Sequence, residues 1–448
     1  DFVGTKTVRL EQNYRSTKTI LDAANGVISH NAGRLGKDLW TDGEDGEPIK
    51  LYAGFNEQDE ARFIVEQIQS WTDEGNPRKS SAILYRSNAQ SRVIEEALIR
   101  VGLPYRIYGG QRFYERLEIR NALAYMRLII GRGDDPALER IINTPTRGIG
   151  SKTVDDLRAI ARENNVSMWQ AIGLAQQNGL LGSRARSSLA GFAALINELD
   201  SETVELPLEE MVEHVIHRTG LIEFHKAEKG ERGQARVENL EELVSAAKTF
   251  RAEDDSLSPL QQFLDSAALD AGDSQADPYE DSVQMMTLHS AKGLEFPLVI
   301  LAGLEENLFP HRMSVEEPGR LEEERRLAYV GITRAQQRLL ITYAESRRLH
   351  GSETYNTPSR FVREIPADLI EEVRLHGGLT RPLADRLQQP VAASNDSGLS
   401  LGQRVTHPMF GEGMVLNIEG RGANARIEVN FAEGSKWLVL QYANLQAL

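Results

Sequence analysis

Residues 283–301 read VQMMTLHSAKGLEFPLVIL, and the fold class follows from them. Two apolar runs, Val283–Thr287 and Leu298–Leu301, have the length of buried strands and enclose a loop of small, hydroxyl and basic residues. Continuous apolar strands are typical of parallel sheets, whose two faces are both covered by helices. The stretch therefore predicts an α/β fold in which residues 287–296 follow a strand, at an edge where such sheets bind ligands.

Strand and helix patterns also alternate in residues 1–109. Apolar runs at residues 50–53 and 81–85 predict strands, and each is followed by an amphipathic helical pattern, over residues 57–71 and 89–101. Alternation of this kind predicts βαβ units and a parallel sheet.

Residues 110–279 have a different character, because long helical patterns follow one another with no convincing strand. They end in an acidic stretch, residues 253–281, which we expect to be rich in loops. Strand–helix alternation then resumes over residues 280–376. We predict one α/β domain, formed by residues 1–109 and 280–376 and split by a helical insertion, since two incomplete half-sheets would each lack a core.

The C-terminal part of the sequence predicts a linker and a small β domain. Residues 377–400 are rich in Gly, Pro and small polar residues, as flexible linkers are. Residues 401–448 contain four short strand patterns separated by glycine turns, which suits a small SH3-like barrel.

Composition excludes several classes of protein. The chain has 448 residues, a formal net charge of −15 and no cysteine, which rules out disulfides, thiolate metal sites and cysteine nucleophiles and fits a reducing compartment. No apolar run approaches the roughly 18 residues of a membrane span. Charge is segregated, with residues 251–281 acidic and residues 320–363 basic, so the net charge does not argue against nucleic acid. The missing initiator Met suggests that the chain begins within a longer protein.

Two segments far apart in the sequence carry arginines suited to phosphate chemistry. LEQNYRST, residues 10–17, places the aromatic Tyr14 beside Arg15 and ends in hydroxyls that can cap a following helix. YVGITRA, residues 329–335, sets Arg334 at the end of a helical pattern rich in Glu and Arg. An arginine held on a rigid element can stabilise charge on a γ-phosphate. Alone, each segment is a weak signal, because a surface arginine is usually solvated or ion-paired.

Two other places have features suited to nucleic-acid backbones. Arg86, Asn88 and Arg92 follow the strand pattern at residues 81–85 and are candidates to grip a single strand without reading its sequence. TRGIGSKT, residues 146–153, precedes a helical pattern, and exposed N–H groups at a helix start bind phosphate. A simple helix-capping turn is the alternative interpretation of this loop. The candidate contacts in the loop are Arg147, Gly148, Ile149, Gly150, Lys152 and Thr153.

The NYRS, KGLEF and GITRA motifs, in this order, resemble the C-terminal motor motifs of superfamily 1 DNA helicases of the UvrD, PcrA and Rep type. The resemblance covers essentially the whole chain. It implies a RecA-like domain 2A of the P-loop NTPase type at residues 1–109 and 280–376, a helical domain 2B at residues 110–279, and a Tudor/SH3-like barrel at residues 401–448.

The resemblance also assigns roles to single residues. The Tyr of the NYRS motif stacks on adenine in that family, a role that falls to Tyr14, and the next residue, Arg15, contacts the terminal phosphate. The Glu of KGLEF contacts the ribose and corresponds to Glu295, with Gly293 beside it. The Arg of GITRA is an arginine finger and corresponds to Arg334. Thr287 and His289 resemble contacts to the DNA strand.

The function that the resemblance implies is an ATP-dependent 3′–5′ DNA helicase or translocase that acts in DNA repair with ATP and Mg²⁺. The expected partners are single-stranded DNA, junctions of single- and double-stranded DNA, and proteins of mismatch and nucleotide excision repair. RNA polymerase is a further expected partner through the barrel, where Phe410 and Trp437 look exposed. The expected location is the bacterial cytoplasm, at the nucleoid, without membrane association.

Some parts of a complete ATPase are missing from this sequence. A P-loop reads Gly-x-x-x-x-Gly-Lys-Ser/Thr, but the Gly-Lys pair at residues 36–37 is followed by Asp38, and Lys152 is preceded by Ser151. No acidic pair closes an apolar strand. In the family these parts, with the Mg²⁺ ligands, lie in the first RecA-like domain. We therefore expect a C-terminal portion of a helicase that does not hydrolyse ATP alone.

Two other classes of function remain open at this stage. One is a non-enzymatic DNA-binding or adaptor module, although it would have no reason to place Tyr14, Arg15 and Arg334 at an interdomain face. The other is the motor half of a helicase–nuclease, which predicts a nuclease domain with clustered carboxylates instead of a small barrel. His214 and His217 share a helix face, but no third ligand is suitably spaced, so we predict no metal site.

Overall fold

The computed structural model describes residues 11–32, 39–228, 230–254, 256–272, 280–317, 319–349, 352–373, 403–407, 410–419, 426–431, 434–439, 443 and 445–447. The chain divides into two compact units, Asp1–Val373 and Arg374–Leu448. The predicted linker at residues 377–400 lies outside the described residues. None of the described helices combines the length and the apolar character that crossing a bilayer requires.

A seven-stranded parallel sheet lies at the centre of the first unit. The strands of this unit are β1 (Ile49–Gly54), β2 (Ser81–Tyr85), β3 (Tyr105–Ile107), β4 (Val283–Thr287), β5 (Phe296–Leu301), β6 (Ala335–Ala344), β7 (Ser346–Leu349), β8 (Ser352–Tyr355) and β9 (Ile370–Val373). The sheet has the order β3-β4-β2-β5-β6-β1-β9, and every neighbouring pair is parallel. β7 and β8 form a separate antiparallel hairpin. The predicted α/β class is confirmed.

Both ends of the unit contribute strands to this one sheet. β4, which follows the helical segment, lies between β3 and β2, which precede it, and Tyr105 faces Val283 in the register. All five residues of β2 are buried, as expected for a central strand that is covered on both faces. The helical segment is therefore inserted between two neighbouring strands. The domain boundaries that we derived from the sequence remain predictions.

Helices surround the sheet and form the insertion. The first unit contains α1 (Lys18–Ile28), α2 (Glu57–Asp73), α3 (Ser91–Arg100), α4 (Leu117–Ile130), α5 (Asp135–Ile141), α6 (Ser151–Asn164), α7 (Met168–Gln177), α8 (Ser183–Thr203), α9 (Leu208–Arg218), α10 (Leu221–Lys226), α11 (Glu231–Thr249), α12 (Pro259–Gly272), α13 (Arg312–Glu316), α14 (Arg320–Ile332) and α15 (Arg360–Arg363). α2 begins where the Asn56 side chain accepts a hydrogen bond from the Asp59 N–H at 2.9 Å, as N-cap residues do. One apolar core lies around the sheet and another within α4–α12.

The acidic stretch at residues 253–281, which we expected to be rich in loops, also includes a helix. It contains α12, because Leu260, Phe263, Leu264 and Ala267 repeat with helical spacing and are all buried against the insertion core. Only two acidic residues, Asp265 and Asp270, lie in this helix, and the other acidic residues of the stretch lie before or after it. The acidic composition of the whole stretch therefore led us to overlook the amphipathic pattern of this helix.

The second unit is a five-stranded antiparallel sheet. Its strands are β10 (Arg404–His407), β11 (Gly411–Glu419), β12 (Arg426–Phe431), β13 (Gly434–Val439) and β14 (Gln446–Ala447). They pair in the order β13-β12-β11-β10-β14 around a core that includes Val405, Val415 and Ile427. Closure into an SH3- or Tudor-like barrel remains a prediction.

A buried ionic network joins the carboxyl ends of β1, β5 and β6. Arg347, which is 5% exposed, donates to Glu305 at 3.0 and 3.1 Å and also to Glu60. Glu60 in turn accepts from the Gly303 N–H at 2.8 Å and from the Thr342 hydroxyl at 2.6 Å. Each buried carboxylate is thus paired and hydrogen-bonded, which is the condition for tolerating charge in a core.

Candidate nucleotide and nucleic-acid sites

The GITRA and KGLEF motifs meet at the amino ends of two neighbouring strands. Glu295 immediately precedes β5 and Arg334 immediately precedes β6, and the Phe296 N–H donates to the Arg334 carbonyl at 3.0 Å. Parallel pairing of β5 with β6 puts both residues at the same sheet edge. Two motifs that are separated in the chain by β5, α13 and most of α14 therefore form one surface.

Arg334 is held at the end of α14 by contacts to main chain and to one hydroxyl. Its guanidinium donates to the carbonyls of Val330 at 2.9 Å and Leu294 at 3.0 Å and to the Thr333 hydroxyl at 3.1 Å. No carboxylate among the described residues forms an ion pair with it. A rigidly held arginine that keeps its full charge is what an arginine finger requires.

Arg15 reaches the same place from the other end of the unit. Its guanidinium donates to the Glu295 carboxylate and, at 3.4 Å, to the Thr333 carbonyl. Ser16, which is buried, anchors the segment because its hydroxyl donates to the Ala335 carbonyl at 2.6 Å. The NYRS segment is thus fastened directly to the residue that follows Arg334.

The two guanidinium groups therefore converge. Burial and the nearby charge of Arg15 both lower the pKa of Arg334, although an arginine remains protonated at any physiological pH. Glu295 is the carboxylate beside them and also accepts from the Gln336 amide at 3.1 Å. Two cations against one carboxylate leave a local positive charge, which suits a bound anion.

Tyr14 stands clear of this cluster with its ring in solvent. It is 86% exposed, and its hydroxyl donates to the Gln12 side chain at 2.7 Å. An exposed, tethered ring is suited to stacking on a base. Gly293 is also exposed and has a φ of +91°, a conformation that favours glycine.

The candidate DNA residues Arg86, Thr287 and His289 lie at the opposite edge of the sheet. Tyr85 and Thr287, the last residues of β2 and β4, face each other in the register, so Arg86 and Leu288 follow side by side. His289 is exposed, and the Thr287 hydroxyl is hydrogen-bonded with that of Ser290 at 3.0 Å. The sequence placed the whole segment 287–296 at a carboxyl edge, whereas in the structure it crosses from that edge to the amino edge.

Arg86 lies at this edge but is already paired. Its guanidinium makes a two-pronged contact with Glu324 near the start of α14, at 2.7 to 3.1 Å. Glu324 also accepts from the His311 N–H at 3.2 Å and the Ser314 hydroxyl at 3.3 Å. Within the Glu- and Arg-rich helix that precedes Arg334, Glu324 thus holds Arg86 in place.

Arg92 corrects a prediction. It is 4% exposed, and its guanidinium donates to Glu242 of α11 and Glu96 of α3, both at 2.7 Å. A buried arginine with two carboxylate partners cannot reach a DNA strand, so the prediction for Arg92 is wrong. It ties the α/β part to the helical insertion. Asn88 remains half-buried at the start of the turn before α3.

The conformation of the Gly148–Gly150 loop is held by hydrogen bonds from its backbone to the side chain of Asn143. The Asn143 side chain accepts from the N–H groups of Arg147 at 2.8 Å and Ile149 at 3.2 Å. The Ile149 side chain is 1% exposed and its N–H already donates to Asn143, so neither is available to a phosphate and the prediction for Ile149 is wrong.

Arg147 also points inward. Its guanidinium donates to the carbonyls of Pro145 at 2.9 Å and Thr219 at 3.1 Å. Gly148, Gly150 and Lys152 are exposed, and Thr153 is half-buried in the first turn of α6. The part of the loop that remains available to a phosphate is therefore its glycines and the helix start.

The two aromatic residues predicted to bind a partner differ in environment. Phe410 is half-buried, with its ring 4.6 Å from that of His407 and 4.6 Å from the Lys436 ammonium, so its predicted exposure is wrong. Trp437 is 42% exposed. The described residues contain no group of three or more His, Cys, Asp or Glu residues that could hold a metal ion.

Three residues of the site were missed by sequence reasoning. Ser16, Gln336 and Gln12 are polar residues of ordinary type, and their roles depend on contacts across the fold. Ser16 and Gln12 do lie within the quoted segment at residues 10–17, so their proximity to Tyr14 and Arg15 was the available signal.

The comparisons with known proteins agree with one another on the family of this chain. Over 451 aligned residues the chain is 55% identical to "DNA helicase II" of Escherichia coli K12, covering 100% of this chain and 63% of that protein. The corresponding protein of Haemophilus influenzae is 53% identical over 98% of this chain and 61% of that protein. "ATP-dependent DNA helicase PcrA" of Staphylococcus aureus MRSA252 is 39% identical over 100% of this chain and 63% of that protein. The chain thus spans less than two thirds of the length of these relatives.

A solved structure, the C-terminal domain of a possible DNA helicase from Lactobacillus, aligns at a TM-score of 0.30 and 12% identity over 80% of this chain and 98% of that one, which is too low to support an argument. Residues 8–346 match the family described as "UvrD-like helicase C-terminal domain". This match takes in the converging arginines, the exposed tyrosine and the whole helical insertion. The chain therefore belongs to the UvrD-like helicase C-terminal domain family.

Proposed function

We propose that this chain is the C-terminal motor portion of an ATP-dependent 3′–5′ DNA helicase of UvrD type that acts in DNA repair. The observation that carries the proposal is the convergence of Arg15 and Arg334 beside Glu295 at one edge of the sheet. Two neighbouring cations repel each other, and only one carboxylate of the described residues, Glu295, lies beside them. An adaptor protein that binds no phosphate would have no use for this arrangement. The names of the relatives, DNA helicase II and ATP-dependent DNA helicase PcrA, support the same function.

The domain division that we propose follows the insertion. Residues 1–109 and 280–376 form domain 2A, residues 110–279 form domain 2B, and residues 401–448 form a Tudor/SH3-like barrel. The sheet supports the first two, because its strands come from both flanks of the insertion. The antiparallel pairing of β10–β14 supports the third.

The residues at the amino edge fit ATP. Tyr14 offers an exposed ring to the adenine, Glu295 offers a carboxylate to the ribose hydroxyls, and Arg15 and Arg334 offer cations to the phosphates. Bound ATP with Mg²⁺ supplies the phosphoryl group that is transferred to water. Arg334 stabilises the negative charge that develops during this transfer. We place the Mg²⁺ ligands and the P-loop outside this chain, since its sequence lacks a P-loop.

Two elements connect this edge to the proposed DNA edge. Segment 288–295 follows Thr287 and ends at Glu295. α14 contains Glu324, which holds Arg86, and ends two residues before Arg334. They also touch each other, because a Cβ on Gly331 would lie 2.5 Å from Leu288. We propose that closing of the motor on ATP moves these elements and shifts the Arg86, Thr287 and His289 surface along a single strand.

The remaining surfaces have narrower proposed roles. The exposed Gly148, Gly150 and Lys152 contact the duplex ahead of the fork through phosphates, which position DNA without reading its sequence. Trp437 anchors a protein partner of the barrel, for which RNA polymerase is our candidate. Repair proteins of mismatch and nucleotide excision repair engage other surfaces.

The finger assignment is tested by Arg334→Ala in the complete protein that carries this chain. We expect kcat for DNA-stimulated ATP hydrolysis to fall on the order of 10³-fold, with ATP binding largely retained, because an arginine finger acts on the transition state. Steady-state hydrolysis and equilibrium binding of a non-hydrolysable ATP analogue are the two measurements. The isolated chain should hydrolyse no ATP until the first motor domain of a relative is added.

The matched control is Arg326→Ala, on the exposed face of α14 two turns before Arg334. It removes the same charge from the helix that precedes Arg334 and should leave hydrolysis unchanged. Normal hydrolysis by Arg334→Ala would show that the finger assignment is wrong, whereas a complete protein without DNA-stimulated ATP hydrolysis would favour the adaptor. A nuclease activity that requires clustered carboxylates would instead favour the helicase–nuclease.

A further inference from the structure

The Tyr14 side chain is the end of a short hydrogen-bonded chain. Its hydroxyl donates to the Gln12 side-chain oxygen at 2.7 Å, and the Gln12 amide nitrogen donates to the Asp42 carboxylate at 2.9 Å. The two bonds fix which end of the Gln12 amide faces which neighbour, because its oxygen accepts and its nitrogen donates. Tyr14 is thereby connected to a residue almost thirty positions away.

Asp42 is a fixed point because the loop that carries it is fastened on both sides. On one side the Asn13 N–H donates to the Trp40 carbonyl at 2.7 Å. On the other, the Thr19 N–H donates to the Asp45 carbonyl at 2.9 Å, and so does the Thr19 hydroxyl at 2.7 Å. Residues 40–45 therefore lie along the NYRS segment as a strap, and the strap presents the Asp42 carboxylate to Gln12.

The need for such an anchor follows from the exposure of Tyr14. A ring that is 86% exposed has almost no packing to fix its rotamer, so it would sample several orientations before a base arrives. Fixing a side chain in its bound orientation increases affinity by reducing the entropy lost on binding. A hydrogen bond at the far end of the ring constrains its direction without covering its faces.

We propose that Gln12 and Asp42 are positioning residues that hold the Tyr14 ring ready to stack on the adenine of the nucleotide. The inference rests on the proposed ATP site. It predicts a contribution to base recognition only, because neither residue contacts Arg15 or Arg334 through its side chain. Phosphate recognition should be independent of the chain from Asp42 to Tyr14.

The test compares ligands with and without a base in the complete protein that carries this chain. Gln12→Leu and Tyr14→Phe should each raise the KM for ATP about fivefold, the usual effect of one hydrogen bond, and leave kcat unchanged. Inhibition by tripolyphosphate, which has phosphates but no base, should not change. Because both variants break the same chain, the double variant should be no worse than either single one.

A rescue variant and a matched control sharpen the test. Gln12→Glu together with Asp42→Asn rebuilds both hydrogen bonds with the amide and the carboxylate exchanged, and should restore the native KM, whereas Gln12→Glu alone should not. Gln337→Leu makes the same substitution at an exposed residue of β6 and should have no effect.

Each outcome has a definite meaning. If Gln12→Leu weakens inhibition by tripolyphosphate as much as it raises the KM for ATP, Gln12 merely supports the fold of the segment and the proposal is overturned. The proposal is also overturned if Tyr14→Ala raises the KM for ATP but Gln12→Leu and Tyr14→Phe do not. If Tyr14→Ala has no effect on any nucleotide, the adenine contact itself is wrong, which is a failure of the proposed function.

Discussion

Single arginines show most clearly how environment decides a role. Arg92 lies in the first turn of α3, Arg147 in the loop before α6 and Arg334 just after α14, yet the first two are turned inward. Arg334 differs because its partners are mainly carbonyls, which satisfy its N–H groups without neutralising its charge. Partners distant in sequence decide such cases. Motif likeness located Arg334, whereas nothing local to Arg92 revealed that Glu242 would neutralise it.

The buried Arg347 gives a stability prediction at this scale. Arg347→Met leaves Glu60 and Glu305 as buried neighbours without a cation, so we expect the free energy of unfolding to fall by about 3–5 kcal/mol. Urea denaturation followed by circular dichroism measures it. Arg326→Met, an exposed arginine with two carboxylate neighbours, should cost less than about 1 kcal/mol. Equal midpoints for the two variants would contradict this account of the network.

At the scale of elements, the sequence predicted most of the regular structure. Apolar runs located β2 and β4, and helical spacing located α2 and α3 to within a few residues, because burial repeats along each element. The hairpin β7–β8 was missed, since its residues are strongly polar and lack an alternating pattern. The order of strands across the sheet could not be predicted, because it depends on pairing between distant segments.

Glu324 connects α14 to the end of β2 and gives a prediction on pH. Burial alone would raise the pKa of Glu324, but the hydrogen bonds and charge of Arg86 outweigh it and hold the pKa below the usual 4.5. A carboxylate whose pKa is lower in the folded state than in the unfolded state stabilises the fold at pH values above its unfolded-state pKa. This contribution is lost as the pH falls through its folded-state pKa. The stability difference between the native protein and Glu324→Gln should therefore be constant above about pH 6 and shrink below pH 4.5.

Urea titrations of both proteins from pH 3 to pH 7 measure this difference. Glu323→Gln is the control, because that carboxylate is 73% exposed and its ion pair with Arg326 is screened by water. A stability difference for Glu324→Gln that persists unchanged at pH 3 would show that Arg86 does not depress the Glu324 pKa.

At the scale of the whole molecule, the insertion makes the two flanks of the first unit interdependent. β4 completes the sheet between β3 and β2, so neither flank holds a finished sheet alone. Arg92 and Ser87 add polar contacts between the α/β part and α11. Arg116 of the insertion donates back to the Asn88 carbonyl and the Ser91 hydroxyl of the α/β part. The sequence suggested this arrangement from two half-sheets that each needed a core.

A cut within the insertion tests that interdependence. A specific protease site placed between the exposed Ser256 and Leu257 should yield two fragments that co-elute in size-exclusion chromatography and separate only in urea. Strand pairing across the cut holds them together, since β3 and β4 lie on opposite sides of it. Separation of residues 1–256 from residues 257–448 without urea would contradict the shared sheet.

The two groups of candidate residues are separated by the length of the central strands, about 20 Å for six residues. Those strands are hydrogen-bonded to neighbours on both sides and packed above and below, so they behave as a stiff plate with little capacity to stretch or bend. A displacement of the strands at the amino edge must then appear at the carboxyl edge with nearly the same amplitude. Mechanical work would accordingly be transmitted by rigid translation of the plate, and compliance would be confined to the connections at its margins.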